Sequence, residues 1–516
     1  MSIPNPNRDR NWVKEYASKT LAEKANLFPQ FFLELRFDLF RHINNLCLKF
    51  QSPITVITGN NKSGKTTVLM AIACSHFNFQ RRNIYNGDLE RNTWGNLMKF
   101  TNHDDQATWT YHVKFRQGTN ITEKQGQRKH GTKKWNGVAK KEGQIGTPPR
   151  GNNQAGRQVT LIDMERIVPA RHLPFKVYQK AKNRQATNID QQIQDYISYI
   201  LEESYQLGEM CSSADTVIYS FNTGYRYSSY NSASGEDSLT RLLRDIVDAP
   251  RYSLILIEEI EIGLHPKMQR RLMDVLYHEV YENRKQFIVT THSSTILSSV
   301  ESISRIFINN SGNHFRSIEK ISINAALSHM DAFGYPLVNI YVEDEISKKM
   351  AAKAVSAITA TERGFNHLVH LIESGPANKT YNYFVVNKEL YNKTKMRTGY
   401  ACILDGDMRT KTDRDGNLCY PQEDLLFFHH SNEAPERMLV RKYLQSHPDS
   451  NLQYQCNEGN CHQLFKKMVE LGLCQSQEEA FELCWAELLN TTDGQEYFLE
   501  LQSFIKKACS FFSPNL

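Results

Sequence analysis

The eight residues Gly59-Asn60-Asn61-Lys62-Ser63-Gly64-Lys65-Thr66 constrain this chain more than any other segment. They fit G-x-x-x-x-G-K-[ST] in full and stand between two apolar runs, ITVIT before them and VLMAIACSHF after them. The first reads as a strand and the second as a buried helix. A glycine loop in that position wraps successive backbone N–H groups and a helix N-terminus around phosphate. Lys65 would reach the β- and γ-phosphates, Thr66 would ligate Mg²⁺, and Thr67 would join the loop in binding the nucleotide. A chance match in a glycine-containing turn is the alternative, and the strand–loop–helix context weighs against it. The expected fold is therefore α/β, with ATP and Mg²⁺ as cofactors.

Three further segments fit the same site. LILIEEIEIGLHP (254–266) is an apolar strand ending in Glu258-Glu259. There Glu258 would hold Mg²⁺ through water and Glu259 would orient the attacking water. QFIVTTHSS (286–294) is a second buried strand with His292 just past its end, within reach of a γ-phosphate. In NSASGEDSL (231–239), Ser234-Gly235-Glu236 leads into a helix and could bind phosphate at its N-terminus. Taken singly, these are a strand ending in solvated charges, a structural histidine and a plain helix cap. In this order, the four motifs resemble the ABC/SMC-type ATPase superfamily. The resemblance implies a signature loop at Ser234-Gly235-Glu236, a switch histidine at His292, and a head-to-head homodimer completing each ATP site. Glu258 stands where that superfamily usually has Asp, and Ile260 where Pro is common.

A second α/β block opens near Leu337. LVNIYV ends at Glu343-Asp344-Glu345, HLVHLIESG meets a turn at Ser374-Gly375, and YACILDGDM ends in Asp405-Gly406-Asp407. SNEAPERML then places Glu433 and Glu436 ahead of a helix. Carboxylates at i and i+2 beyond one strand end, joined by Glu343 from a neighbouring strand, gather charge that favours a hard cation, Mg²⁺ or Mn²⁺. Such ions activate water for phosphodiester cleavage. Asp405-Gly406-Asp407 alone would be an ordinary polar turn.

This order of motifs resembles a TOPRIM domain, with Glu343, Asp405 and Asp407 matching its acidic motif. An ABC-type head followed by TOPRIM is similar to the overcoming-lysogenization-defect (OLD) family of nucleases, over about residues 30–440. The resemblance implies metal-dependent DNA cleavage, often in bacterial defence against phage, including as effectors of retron systems with a reverse transcriptase–nucleic acid complex as partner. It also implies Glu345 and Glu433 as extra carboxylates of a two-metal site. Asp344 replaces the usual glycine after the first glutamate. Other readings are a non-cleaving DNA-binding or clamp-like ATPase, a topoisomerase or primase, and an ATPase that signals through a partner. No segment clearly supplies a topoisomerase tyrosine, and no clean zinc module supports a primase.

The 516 residues exceed one ordinary core, so the expected division is an ATPase domain at 1–325, a TOPRIM nuclease domain at 336–450 and a helical tail at 451–516. Net charge is +6, which permits DNA as a partner without requiring it. Residues 117–157 carry Lys124, Arg128, Lys129, Lys133, Lys134, Lys140, Lys141, Arg150 and Arg157 among Gly, Asn and Gln, with one Trp135. They read as a mobile basic insertion, either contacting a DNA backbone or merely solvated. Residues 188–210 read as one amphipathic helix striped by Ile189, Ile193, Tyr196, Ile197 and Ile200. Ser476 with Glu479 reads as a capping box in the tail. The ten cysteines suggest free thiols rather than disulfides, although Cys456 with Cys461-His462 could begin a zinc site. MSIPNPNRDRNW has no apolar segment of a secretory signal, and no apolar run approaches a membrane span, so a cytoplasmic location is expected.

Overall fold

The computed structural model describes residues 3–83, 87–101, 103–104, 107–130, 134–149, 156–210, 218–311, 314–330, 336–362, 364–393 and 398–513. The chain divides into two compact units, Met1–Ile321 and Ser322–Leu516.

In the first unit the apolar runs form the centre of an eight-stranded sheet. Its order is His314–Glu319, Arg305–Ser311, Ile54–Gly59, Gln286–Thr290, Leu254–Ile257, Val159–Ile162, Phe79–Arg82 and Leu89–Arg91. The inner six strands run parallel, and the two outer pairings are antiparallel. Ile54–Gly59, Leu254–Ile257 and Gln286–Thr290 are buried along their whole length, as continuous apolar runs in a parallel sheet should be. A second, antiparallel sheet runs Ile43–Lys49, Gln30–Phe40, Trp109–Gln117, Asn120–Arg128 and Trp135–Gly137. The helix Lys65–Cys74 joins side chains of both sheets in one core, with Val68, Leu69 and Ile72 among Phe37, Phe40, Val113, Leu161 and Leu256.

Two expectations are corrected. The described part of 117–157 is folded, not a mobile insertion. Asn120–Arg128 continues the sheet as a hairpin with Trp109–Gln117, Lys124 Nζ donates to the Gly143 carbonyl at 2.9 Å, and Arg128 is buried over the Phe100 ring at 4.0 Å. Arg157 donates to the carbonyls of Tyr252 and Ser253 and to Gln286 Oε1. Its cations are therefore partly spent on the protein itself; Lys133 and Arg150 lie outside the described residues. The expected helix 188–210 is Gln191–Leu201, closed by Glu202 in the left-handed region (φ 60°) and followed by a strand, Gln206–Glu209. Ile193, Tyr196, Ile197 and Ile200 are its buried face, while Ile189 precedes it.

The second unit is built on a parallel sheet ordered Val369–Glu373, Val338–Val342, Gly399–Leu404 and Leu426–Phe428. Helices Glu345–Thr361 and Ala377–Lys393 make the crossovers. The residues after 450 pack onto this sheet. Phe512, at the end of helix Thr492–Phe512, lies 4.9 Å from the Tyr391 ring and 5.3 Å from the Tyr400 ring, centroid to centroid. Ser476 accepts the Glu479 N–H as the cap of helix Gln477–Leu489. Among the described residues, no helix is long and apolar enough to cross a membrane. Because Phe512 is part of this core, Phe512→Ala should destabilise the second unit by about 3–5 kcal/mol. Urea unfolding of the full chain reads this directly, and an unchanged midpoint would place the last helix outside the core.

Candidate functional sites

Parallel pairing brings the ends of Ile54–Gly59, Leu254–Ile257 and Gln286–Thr290 to one sheet edge. Gly64 caps the following helix at φ 93°, and a Cβ there would stand 2.4 Å from Ile43 Cδ1, so only glycine closes this loop. Lys65 Nζ donates to the carbonyls of Gly59 (2.8 Å) and Asn60 (3.1 Å). Burial holds the Lys65 ammonium below its ordinary pKa, while Glu259, Glu261 and Glu258 pull it back up. The Lys62 carbonyl is held by His42 and Asn310, Asn61 is exposed, and the buried Ser63 hydroxyl has no partner. An orphaned hydroxyl inside a loop of this shape fits a phosphate oxygen.

The Thr66 hydroxyl donates to Glu258 Oε1, which joins the two expected Mg²⁺ residues directly. Burial raises the Glu258 pKa, and Asp163 and Glu259 raise it further. Glu259 sits at φ 43°, a left-handed conformation rare outside glycine. Its N–H donates to Thr290 Oγ1 and its carbonyl accepts from Arg166. Backbone strain at a strand end beside a phosphate loop is typical of functional positions.

His292 is exposed, and partial desolvation together with the nearby Lys65 charge lowers its pKa. Sequence reasoning missed what positions it. Glu261 accepts the Thr291 hydroxyl at 2.7 Å and the His292 N–H at 2.6 Å. It also missed Asp163, which follows Val159–Ile162 at the same edge and pairs with Arg81 at 2.6 Å. The available signals were a third carboxylate two residues after Glu259 and the short apolar run VTLI ending in Asp.

Ser234-Gly235-Glu236 forms the first turn of the helix Ser234–Asp248. Ser234 is exposed, and Gly235 abuts the backbone of Gly263, in the loop that follows Glu258-Glu259. Glu236 accepts from Tyr205 Oη (2.6 Å), Tyr227 Oη (2.9 Å) and the Ala233 N–H (3.0 Å). Three donors on one carboxylate fix the helix start, so Glu236 shapes this segment and Ser234 is its outward-facing hydroxyl.

In the second unit, Glu343 and Asp405-Gly406-Asp407 stand at the ends of adjacent parallel strands. Glu343 Oε1 accepts the Asp405 N–H at 2.7 Å. Gly406 passes so close to Ser431 that a Cβ would meet its carbonyl oxygen at 1.9 Å. Asp405 Oδ1 accepts the Ser347 hydroxyl at 3.0 Å. Burial, together with the neighbouring carboxylates, raises the pKa of both Glu343 and Asp405. A cleft of about 760 Å³ is lined by Glu343, Asp344, Asp405, Asp407, Lys411 and His462 among others.

Two expected metal residues are not in this group. Glu345 is exposed and paired with Lys349 at 3.0 Å. Glu433 is held by both the Nε and Nη2 atoms of Arg441, two turns along the next helix. Each carboxylate is already paired with a cation, Lys349 being shared with Glu478. The Cys456, Cys461 and His462 zinc reading also fails in its geometry: Cys456 Sγ faces the Arg437 carbonyl, and His462 Nδ1 pairs with Glu436 at 2.9 Å.

The loop, the Thr66–Glu258 pair and the switch strand define the first unit as an α/β P-loop ATPase domain. Family models agree in two overlapping segments: residues 34–209 match an AAA domain, and residues 163–298 match an AAA domain described as a putative AbiEii toxin of a type IV toxin–antitoxin system. A curated relative, the retron Vc95 probable ATPase of Vibrio cholerae serotype O1 biovar El Tor, is 29% identical over 174 residues, covering 30% of this chain and 32% of its own. The chain thus spans about a third of the length of the curated relative it matches. Among solved structures, the SMC head domain from Thermotoga maritima is 15% identical with a TM-score of 0.35, covering 56% of this chain and 98% of its own. The recombination mediator protein RecF-ATPrS of the RecFOR pathway is 12% identical with a TM-score of 0.33 over the same shares.

Glu261→Ala should lower the ATP hydrolysis rate about 10-fold or more, in line with loss of a positioning contact, while leaving ATP affinity near wild type. Equilibrium nucleotide binding beside steady-state turnover separates the two; a matching loss of affinity would make Glu261 structural for the whole loop. The acidic pair gives a pH prediction. Raised carboxyl pKa values mean that the protonated forms are favoured in the folded protein. Their stabilisation is complete below the unfolded value of about 4 and is lost as pH climbs through the raised values. In metal-free protein, Asp405→Asn should therefore raise the melting temperature over wild type by more at pH 8 than at pH 5.

Proposed function

We propose that this protein is an ATP-regulated, divalent-metal-dependent DNA endonuclease of bacterial anti-phage defence. The reading is carried by one observation: Glu343 grips the backbone of Asp405 across two parallel strands, with Asp407 in the same open cleft. Carboxylates crowded until their pKa values rise fit a hard cation, because a cation removes the repulsion that burial imposes. Glu343, Asp405 and Asp407 would hold it, and a bound Mg²⁺ or Mn²⁺ supplies activated water and neutralises a phosphodiester oxygen. The chain's own groups do the remaining work. Gly406 lets the two aspartates leave one strand end beside Ser431, Ser347 orients Asp405, and Lys411 at the cleft wall can hold a DNA phosphate.

In the ATPase unit, Lys65 and the loop amides would bind the nucleotide phosphates, Thr66 and Glu258 would hold Mg²⁺, and Glu259 and His292 would serve the attacking water and the γ-phosphate. Ser234 and Gly235 of one protomer would complete the site of a second, forming a head-to-head dimer. A defence role is supported by the words retron and toxin in the names of what the chain matches. A second reading, a partner-triggered signalling ATPase whose acidic cleft is silent, is favoured by the relative's printed name, a probable ATPase.

Incubation of plasmid and linear DNA with Mg²⁺ or Mn²⁺, with and without ATP, tests this. Wild type should cleave, Asp405→Ala/Asp407→Ala should not, and Lys65→Ala should uncouple cleavage from ATP. Cleavage that survives the double substitution would put the active site elsewhere. Absence of cleavage by wild type under every condition would favour the signalling reading.

A further inference from the structure

Beside the Glu343–Asp405 pair, a second set of ligands converges from three different elements. Asp344 caps the helix Glu345–Thr361, Glu436 stands in the first turn of Pro435–Ser446, and His462 lies in the short turn Cys461–Gln463. One ligand atom from each lies within 4.8 Å of the others. Ligands at about 2.0–2.2 Å around one ion lie at most about 4.4 Å apart, so little movement is needed to bind one.

Glu436 provides the independent observation. It is only 4% exposed, its Oε1 meets His462 Nδ1 at 2.9 Å, and its Oε2 has no hydrogen-bond partner. A buried carboxylate oxygen without a donor is costly unless a cation sits against it. Glu433, three residues earlier, has Arg441 for this purpose, and Glu436 has only the imidazole.

We infer that Asp344, Glu436 and His462 form a mixed nitrogen–oxygen cation site, distinct from the all-carboxylate position at Glu343, Asp405 and Asp407, that takes a first-row transition ion such as Mn²⁺ in preference to Mg²⁺. Imidazole suits transition ions, whereas Mg²⁺ takes oxygen and water. Both Asp344 and His462 line the cleft that holds Asp405 and Asp407, so the ion would share one substrate face with the carboxylate position. The inference deepens the metal-dependent reading of this cleft, and it stands on binding geometry rather than on cleavage.

The test is Mn²⁺ titration of the nucleotide-free full chain, followed by electron paramagnetic resonance with spin-echo detection of ¹⁴N coupling. Wild type should bind Mn²⁺ with a nitrogen signal that excess Mg²⁺ does not remove. His462→Gln, at an exposed side chain, should abolish the nitrogen signal and weaken that ion by at least the roughly 10- to 100-fold that loss of an outer partner costs. Glu436→Gln should weaken the same ion, and Asp405→Asn should leave its nitrogen signal in place. Mn²⁺ bound without nitrogen coupling would overturn the inference while leaving the carboxylate position intact. No Mn²⁺ bound at all would overturn both. A nitrogen-coupled ion in a protein that cleaves no DNA would keep this site and sink the nuclease reading.

Discussion

Parallel strand pairing is the constraint on which both sites depend. A parallel sheet sends every strand end to one edge, and the crossover loops leave from there, so polar groups placed just after apolar runs are forced together. In the first unit this unites Gly59, Asp163, Glu258 and the segment ending at His292, which are far apart in sequence. In the second it unites Glu343 with Asp405 and Asp407, sixty-odd residues on. Neither assembly needs a long-range contact between side chains to be specified in advance. The buried apolar strands specify the edge, and the residue after each strand inherits its place.

The two edges then solve opposite electrostatic problems. At the phosphate loop, three carboxylates surround one buried lysine, and their charges keep its ammonium form favoured against desolvation. At the second edge burial and neighbouring carboxylates act together on Glu343 and Asp405, and these two hold their protons more tightly. The first edge sets a lysine among its carboxylates. The second meets its excess of carboxylates by favouring their protonated forms. Glu345 and Glu433 show the contrast, because each has a partner on the next turns of helix and so takes no part in the excess.

This also explains how much could be read from the sequence. The phosphate loop, the Glu258 and His292 strand ends and the DGD turn were legible because each is a contiguous segment whose strand is announced by its own apolar run. Their grouping followed from strand order alone. Glu261 and Asp163 were not singled out, and Glu436 was named without a role, because their importance lies in partners brought by folding: the His292 amide, Arg81 and His462. Composition misled at 117–157. A run of Gly, Asn, Gln and Lys looks like solvated chain, yet Asn120–Arg128 is the fourth strand of a five-stranded sheet whose first three strands supply most of the apolar residues, and Arg128 is stacked on aromatic rings that sequence distance conceals.

The helical tail carried no recognisable motif, and its role follows from hydrogen bonding rather than pattern. Buried His429 is pushed down to a pKa of about 3 by desolvation, so it is neutral and has one donor and one acceptor nitrogen. Its Nδ1 meets the Tyr497 hydroxyl of the last helix at 2.6 Å and its Nε2 meets Ser347 Oγ at 3.1 Å. Ser347 in turn donates to Asp405. With Ser347 donating to Asp405, the hydrogen bonds run from Tyr497 to His429 to Ser347 to Asp405, each group donating to the next. A helix at the very end of the chain thereby sets the orientation of a carboxylate at the sheet edge. The tail is thus coupled to the acidic cleft through a line of neutral, fully buried groups, which transmit position without adding charge where charge is already in excess.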